Sequence, residues 1–262
     1  MTKKALCVGI NNYPFGEAND LKGCLNDAND WARLLKKNFD FTDVKQLLDA
    51  DATKANIIKG LKDLLKGAKA GDVLVFTNAS HGTYNAEAGG DEPDYDEAIC
   101  PHDTDSNLLL DDELRELFTG IPKQVMLTVI SDSCHSGSVT RVLPGEYRRS
   151  RQLDPRVWGG RSLSSDQLRA ASKSKEKFPE SKMKEILISG CKSNQTSADA
   201  YIDKDYHGAM SYHAIKAITD AKYKITYAQL HTRLLSLLEK AMYDQIPQLE
   251  GKKANKNRQV FT

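Results

Sequence analysis

Two stretches decide how this chain folds: Val73-Leu-Val-Phe-Thr-Asn-Ala-Ser-His-Gly-Thr83 and Val125-Met-Leu-Thr-Val-Ile-Ser-Asp-Ser-Cys-His-Ser-Gly137. Val73–Thr77 and Val125–Ile130 are continuous apolar runs, the pattern of strands buried on both faces of a parallel sheet. Each then breaks into short polar residues and a glycine. Upstream, Ala5–Ile10 is a similar run, stopped by Asn11-Asn12-Tyr13-Pro14, and Val44–Leu48 is a shorter one. Between these runs the apolar period changes to that of helices. Asp20 is placed to cap a helix through Leu21, Cys24, Leu25, Ala28, Trp31, Ala32 and Leu35. Asp51 or Thr53 starts another through Ile57, Leu61 and Leu64. The second half repeats the rhythm more loosely, with a strand at Glu185–Ser189, helices at Ala209–Ala221 and Tyr227–Tyr243, and a short strand at Gln259–Phe261. Strand alternating with helix predicts an α/β fold, a parallel sheet between two helical layers.

The 262 residues are enough for a substantial core. Hydrophobic residues are 40% and charged residues 28% of the chain, which argues against wholesale disorder. No apolar run reaches the ~20 residues that a membrane helix requires. Lys+Arg 37 against Asp+Glu 36 leaves a formal charge of +1, so no global field draws in nucleic acid or acidic lipid. The five cysteines are scattered, with no CxxC pair, which points away from a zinc ribbon or a secreted disulfide framework. The apolar stretch after Met1-Thr2-Lys3-Lys4 is too short for a signal peptide. A cytoplasmic protein with reduced thiols is expected.

In open α/β sheets, sites form beyond the carboxyl ends of the strands. His81 follows one core strand and Cys134 another, so neighbouring parallel strands would bring an imidazole and a thiol to one edge. That is the requirement of a thiol nucleophile, together with backbone amides for an oxyanion. On chemistry alone, a buried structural cysteine with a hydrogen-bonded histidine is the alternative to this reading. A metal site made of Cys134, His135 and His81 lacks recognisable ligand spacing.

The strings Ala5-Leu-Cys-Val-Gly-Ile-Asn-Asn-Tyr13, Leu21-Lys-Gly-Cys-Leu-Asn-Asp-Ala28, Ser80-His-Gly-Thr83 and Ser131-Asp-Ser-Cys-His-Ser-Gly137 resemble the metacaspases and their bacterial relatives, the orthocaspases. Ile188-Ser-Gly-Cys-Lys-Ser-Asn-Gln-Thr-Ser-Ala-Asp199 and Ile246-Pro-Gln-Leu-Glu-Gly251 look like that family's small-subunit region. The resemblance implies the caspase-haemoglobinase fold, a six-stranded, mostly parallel sheet in a three-layer αβα sandwich. It also implies one caspase-like domain over 1–262, with a large-subunit-like portion at 1–145, a basic linker at 146–184 and a small-subunit-like portion at 185–262. His81 would be the general base and Cys134 the nucleophile of a cysteine endopeptidase acting through a thioester. The N–H groups of Gly82 and Cys134 would be the oxyanion donors. His135 is read as structural, pointing away from the cleft by strand alternation.

Asp132 lies two residues before Cys134 and on an extended chain shares its face. Asp27 matches a position lining the family's primary specificity pocket, although polar flanks Asn26 and Asn29 also allow it to face solvent. Two carboxylates in a partly desolvated pocket select Arg or Lys. Ala79-Ser80 stands where relatives carry Ser-Gly, so a pocket hydroxyl is missing, and Cys24 is read as packing beside the pocket. Asp96, Asp111 and Asp112 resemble part of the calcium set of many metacaspases. Asp111 also reads as a helix N-cap, and Arg141 occupies a position that is acidic in calcium-dependent relatives. No required cofactor is therefore expected.

The basic linker carries Arg148, Arg149, Arg151, Arg156, Arg161, Arg169 and a Lys-rich end, and an enzyme of this preference could cut its own chain at one of the first five or at the lysines beyond. Uncut, the loop would occupy the pocket as an inhibitor; its bland alternative is a solvated charge run. Expected partners are proteins or peptides with exposed Arg or Lys, and not nucleic acid or membrane; the expected state is a monomer. The alternatives are a non-catalytic caspase-like binding module and another thiol hydrolase on a related scaffold.

Overall fold

The apolar runs become strands because alternate residues of each find a hydrophobic layer on either side. In a computed structural model, which describes residues 1–86, 95–105, 107–134, 147–164, 182–192 and 195–262, the strands are β1 (Lys3–Gly9), β2 (Asp43–Leu48), β3 (Val73–Ala79), β4 (Gly82–Ala86), β5 (Tyr95–Ile99) and β6 (Leu109–Leu110). They continue as β7 (Met126–Asp132), β8 (Arg148–Ser150), β9 (Ile186–Ser189), β10 (Ala198–Ile202), β11 (Asp205–Gly208) and β12 (Gln248–Glu250). The main helices are α1 (Cys24–Asn38), α2 (Lys54–Leu65), α3 (Asp111–Thr119), α4 (Ala209–Asp220) and α5 (Tyr227–Lys240).

A six-stranded sheet runs in the order β12-β9-β7-β3-β1-β2, with every pair parallel except β12-β9. Ala5, Cys7, Val73, Val75, Met126 and Ile130 pack with α1, α4 and α5 in one buried cluster. Leu6, Val8, Leu74, Phe76, Leu127 and Val129 pack with α2 and α3 in the other. The period of two along each strand thus feeds both layers, and each large apolar side chain buried this way contributes ~1.5–3 kcal/mol. Two three-stranded sheets, β4-β5-β6 and β11-β10-β8, flank the carboxyl edge of the central one. Within the first of these, β5 pairs antiparallel with β4.

Several local expectations are corrected. Asp20 does not cap α1, because its carboxylate accepts the Tyr13 N–H at 2.9 Å; the helix starts at Cys24, whose N–H is taken by Asn11 Oδ1 at 2.8 Å. Thr53, not Asp51, caps α2 through Asn56 N–H. Asp111 is not an N-cap: it lies in the first turn of α3, and Glu113 Oε2 accepts the Leu110 N–H at 3.0 Å. The last long helix stops at Lys240, with Met242 beyond it in the left-handed region (φ 57°). Phe261 adopts the same region (φ 57°), so Gln259–Phe261 makes an isolated bridge from Gln259 to Thr226 in place of a strand. Among the described residues, no helix is long and apolar enough to cross a membrane.

Candidate active site

The register of β3 and β7 sets the site. Ala79 lies opposite Asp132, so His81 and Cys134 each follow their strand by two residues at one edge of the sheet. Gly82 opens β4 directly after His81, and its N–H donates to the carbonyl oxygen of Arg151 at 2.8 Å. The Cys134 N–H donates to the same oxygen at 3.3 Å. Two amides from two different strand ends therefore converge on one carbonyl, the arrangement that stabilises an oxyanion.

His81 is buried, its Nε2 2.7 Å from the Asn19 carbonyl and its ring 4.9 Å from that of Tyr13. Burial lowers its pKa to about 4, against the opposing pull of the Asn19 and Arg151 carbonyls, so the imidazole is neutral at pH 7. The Cys134 thiol accepts from the Ser197 N–H at 2.6 Å and makes no hydrogen bond to His81. The Cys134 N–H donates to the Arg151 carbonyl, while His81, its Nε2 engaged by Asn19, keeps a buried Nδ1 with no hydrogen-bond partner. Linkage follows from the buried imidazole. Unfolded His81 takes up a proton below about 6.5 and the folded one only near 4, so stability is lost as the pH drops from 6.5 to 4, by about 3 kcal/mol. Urea unfolding in a Cys134→Ala background should show the loss between pH 6.5 and 4 reduced by about that amount in His81→Gln. Identical pH slopes for the two chains would contradict the assignment.

The Arg151 side chain enters a pocket of carboxylates. Its guanidinium is fully buried, with Nη2 at 2.6 Å from Asp27 Oδ2 and 3.0 Å from Asp199 Oδ1, and Nη1 at 3.3 Å from Asp132 Oδ2. Nη1 also donates to the Asp132 carbonyl at 3.1 Å. Each carboxylate is held from behind. Gly208 N–H donates to Asp27 at 2.9 Å, the Ser197 hydroxyl and Ser211 N–H to Asp132, and Lys22 and Gly23 N–H to Asp199. Gly208 is required by proximity, since a Cβ there would sit 2.2 Å from Asp132 Oδ2 and 2.4 Å from Arg151 Nη1. Desolvation alone would lower the Arg151 pKa, but the surrounding carboxylates of Asp132, Asp27 and Asp199 help raise it well above its ordinary value. Burial, with a smaller push from Asp132, holds Asp27 above the usual carboxylate range despite Arg151 and His207.

The chain around Arg151 lies in the cleft as an extended strand. β8 pairs antiparallel with β10, and Arg151 N–H donates to the Ser197 carbonyl at 2.9 Å. Beyond Arg151, Leu153 N–H donates to the Gly82 carbonyl at 2.8 Å, and Thr83 Oγ1 donates to the Leu153 carbonyl at 2.9 Å. Backbone pairing on both sides of one residue with a side chain in a pocket is the mode in which peptides add to an open sheet edge. Arg149 donates to the Asp20 carbonyl, and Arg148 reaches the end of α5. By contrast Arg156 is exposed and pairs with Asp154 next to it, while Arg161 is exposed.

All five residues nominated for the dyad, the oxyanion donors and the pocket thus contact or face Arg151. Asp27, 1% exposed, does not look to solvent. Cys24 is buried with Leu21 and Ala79 beside the pocket, and burial pushes its thiol pKa well up. His135, Arg141 and Arg169 lie outside the described residues. Sequence reasoning missed Asp199; its one signal was an acidic residue between the small apolar Ala198 and Ala200 of a buried strand. Asp96 lies on β5 and Asp111 and Asp112 in the first turn of α3, with Asp111 3.6 Å from Arg115. Among the described residues no three His, Cys, Asp or Glu side chains are grouped to hold a metal ion.

An αβα sandwich with this edge geometry defines a caspase-like peptidase fold. Caspase-1 from Spodoptera frugiperda superposes with a TM-score of 0.59 at 12% identity, over 95% of this chain and 86% of the other, a likeness of fold. Protein GSU0716 from Geobacter sulfurreducens gives 0.75 at 26% identity, covering 100% of this chain and 99% of that one. Residues 3–143 match the family model of the metacaspase peptidase C14 domain. Metacaspase-1 of Meyerozyma guilliermondii is 34% identical over 95% of this chain and 69% of its own length, and Metacaspase-3 of Trypanosoma brucei brucei 31% over 100% and 74%. The chain belongs to the metacaspase family, cysteine-type peptidases whose substrates are proteins.

Proposed function

We propose that this chain is an endopeptidase cleaving after Arg or Lys through Cys134 and His81, and that its first substrate is its own Arg151–Gln152 bond. One observation carries the reading: Arg151 holds its guanidinium among Asp27, Asp132 and Asp199 while its carbonyl oxygen receives the Gly82 and Cys134 amides. That is the pose of a residue whose peptide bond is next to be attacked.

Neutral His81 takes the thiol proton as Cys134 Sγ rotates from Ser197 to the Arg151 carbonyl carbon. The tetrahedral oxyanion forms between the Gly82 and Cys134 N–H groups. His81 then protonates the Gln152 nitrogen, the C–N bond breaks, and a thioester remains on Cys134. Water, deprotonated by His81, hydrolyses it and frees the thiol. Each step uses a group of the chain itself. While uncut, the same segment fills the cleft and excludes other substrates.

The test is a set of fluorogenic peptides with Arg, Lys or Asp before the reporter, assayed with self-processed protein, with and without calcium. Arg is expected to lead, since its fork engages paired carboxylates where lysine offers a point charge. Asp should give no turnover. Asp132→Asn should lose about tenfold or more on the Arg peptide, because one carboxylate of the pocket no longer carries charge. Parent-like kinetics in that variant would refute the pocket, and the absence of any turnover would favour a non-catalytic binding module.

A further inference from the structure

Arg148 occupies a place that the pocket and dyad do not explain. Three residues before Arg151, it leaves β8 toward the carboxyl end of α5, donating from Nη1 to the Met242 carbonyl at 2.7 Å and from Nη2 to the Ala241 carbonyl at 3.4 Å. Its guanidinium carbon lies 4.2 Å from the centre of the Tyr243 ring. The fold prepares this spot. The last carbonyls of a helix have no partner within it and carry the negative end of its dipole, so they favour a cation. Ala241 is the C-cap of the helix, Met242 follows in the left-handed region, and Tyr243 comes next as a partly buried face against which a planar guanidinium stacks. His213 backs Tyr243, with ring centres 5.8 Å apart, and burial lowers its pKa to about 4, so it adds no opposing charge at neutral pH.

We propose that the Ala241 and Met242 carbonyls and the Tyr243 ring form a second specificity subsite, for an arginine three positions before the cleaved residue. Preferred substrates then have the form Arg-x-x-Arg, in which two guanidinium groups are read about one strand segment apart. The inference rests on the proposed function, because it takes the docked Arg148–Arg151 segment as a substrate.

The probes are two fluorogenic peptides, acetyl-Arg-Arg-Ser-Arg and acetyl-Ala-Arg-Ser-Arg, given to the self-processed protein. Their ratio of kcat/KM does not depend on what fraction of the enzyme has released its cut end. The first should be favoured at least fivefold, mainly through KM, and lysine at the leading position should fall between the two. Tyr243→Leu should bring the ratio below twofold, and Tyr243→Phe, which keeps the ring, should retain it. Equal kcat/KM for the two peptides would overturn the subsite while leaving the Arg specificity standing. A ratio that survives in Tyr243→Leu would overturn its assignment to that ring. Turnover of neither peptide would overturn the proposed function and the subsite with it.

Discussion

Cys134→Ala is expected to remain one uncut chain and to turn over Arg peptides at least about 10⁴-fold more slowly than the parent, the scale on which removal of a nucleophile acts. The uncut state is the sharper readout. The parent should release a fragment whose new amino terminus is Gln152, found by mass spectrometry, and the alanine variant should not. The fold does not depend on the sulfur, since the Cys134 N–H and the Ser197 backbone keep their places in the β-structure around Arg151. A native-like melting profile with no cleavage is therefore the expected pair of results. Cutting after Arg151 in the purified alanine variant would remove Cys134 from the reaction.

Arg151→Gln should abolish cleavage at that bond and cost about 3–5 kcal/mol of stability in the uncut chain, because it strands three buried carboxylates that now share a cation. Arg151→Lys should restore the cut, more slowly, since an ammonium cannot engage Asp27, Asp132 and Asp199 with a fixed fork. The comparison is made by urea unfolding in the Cys134→Ala background, where every chain stays intact. The sign has a pH dependence of its own. Burial already holds Asp27 above the ordinary carboxylate range, and a pocket without its cation raises it further. The Gln variant should accordingly recover part of its lost stability as the pH falls toward 5. Unchanged stability in Arg151→Gln would mean that the three carboxylates do not depend on the guanidinium.

The fold was largely legible in the sequence because its signals are local. Val73–Thr77 and Val125–Ile130 are apolar but for one threonine each, which suits a strand covered on both sides, and the β3 and β7 observed there run on as far as Ala79 and Asp132. Helix ends were less legible, since capping depends on what else the capping side chain can reach. Asp20 turns to the Tyr13 amide and leaves the start of α1 to Asn11, a choice made by a turn and not by Asp20 itself. The amino-terminal strand–helix–strand order needed no such arbitration.

The site divides in the same way. His81, Cys134, Gly82, Asp27 and Asp132 were nominated from strand ends and family strings, each from its own neighbourhood. Their common focus was not visible, because it is a residue from the basic linker, where six arginines looked alike. Only the pairing of β8 with β10 selects Arg151 among them, and that register rests on backbone hydrogen bonds between segments about fifty residues apart. Asp199 enters the pocket by the same pairing, and Tyr243 meets Arg148 from almost a hundred residues away. By itself the sequence determined which chemical groups are present and which strands carry them, because hydrophobic period and strand-end chemistry are written in neighbouring residues. Which arginine meets which carboxylate was decided by tertiary structure, because ion pairs this buried exist only where distant segments exclude water together.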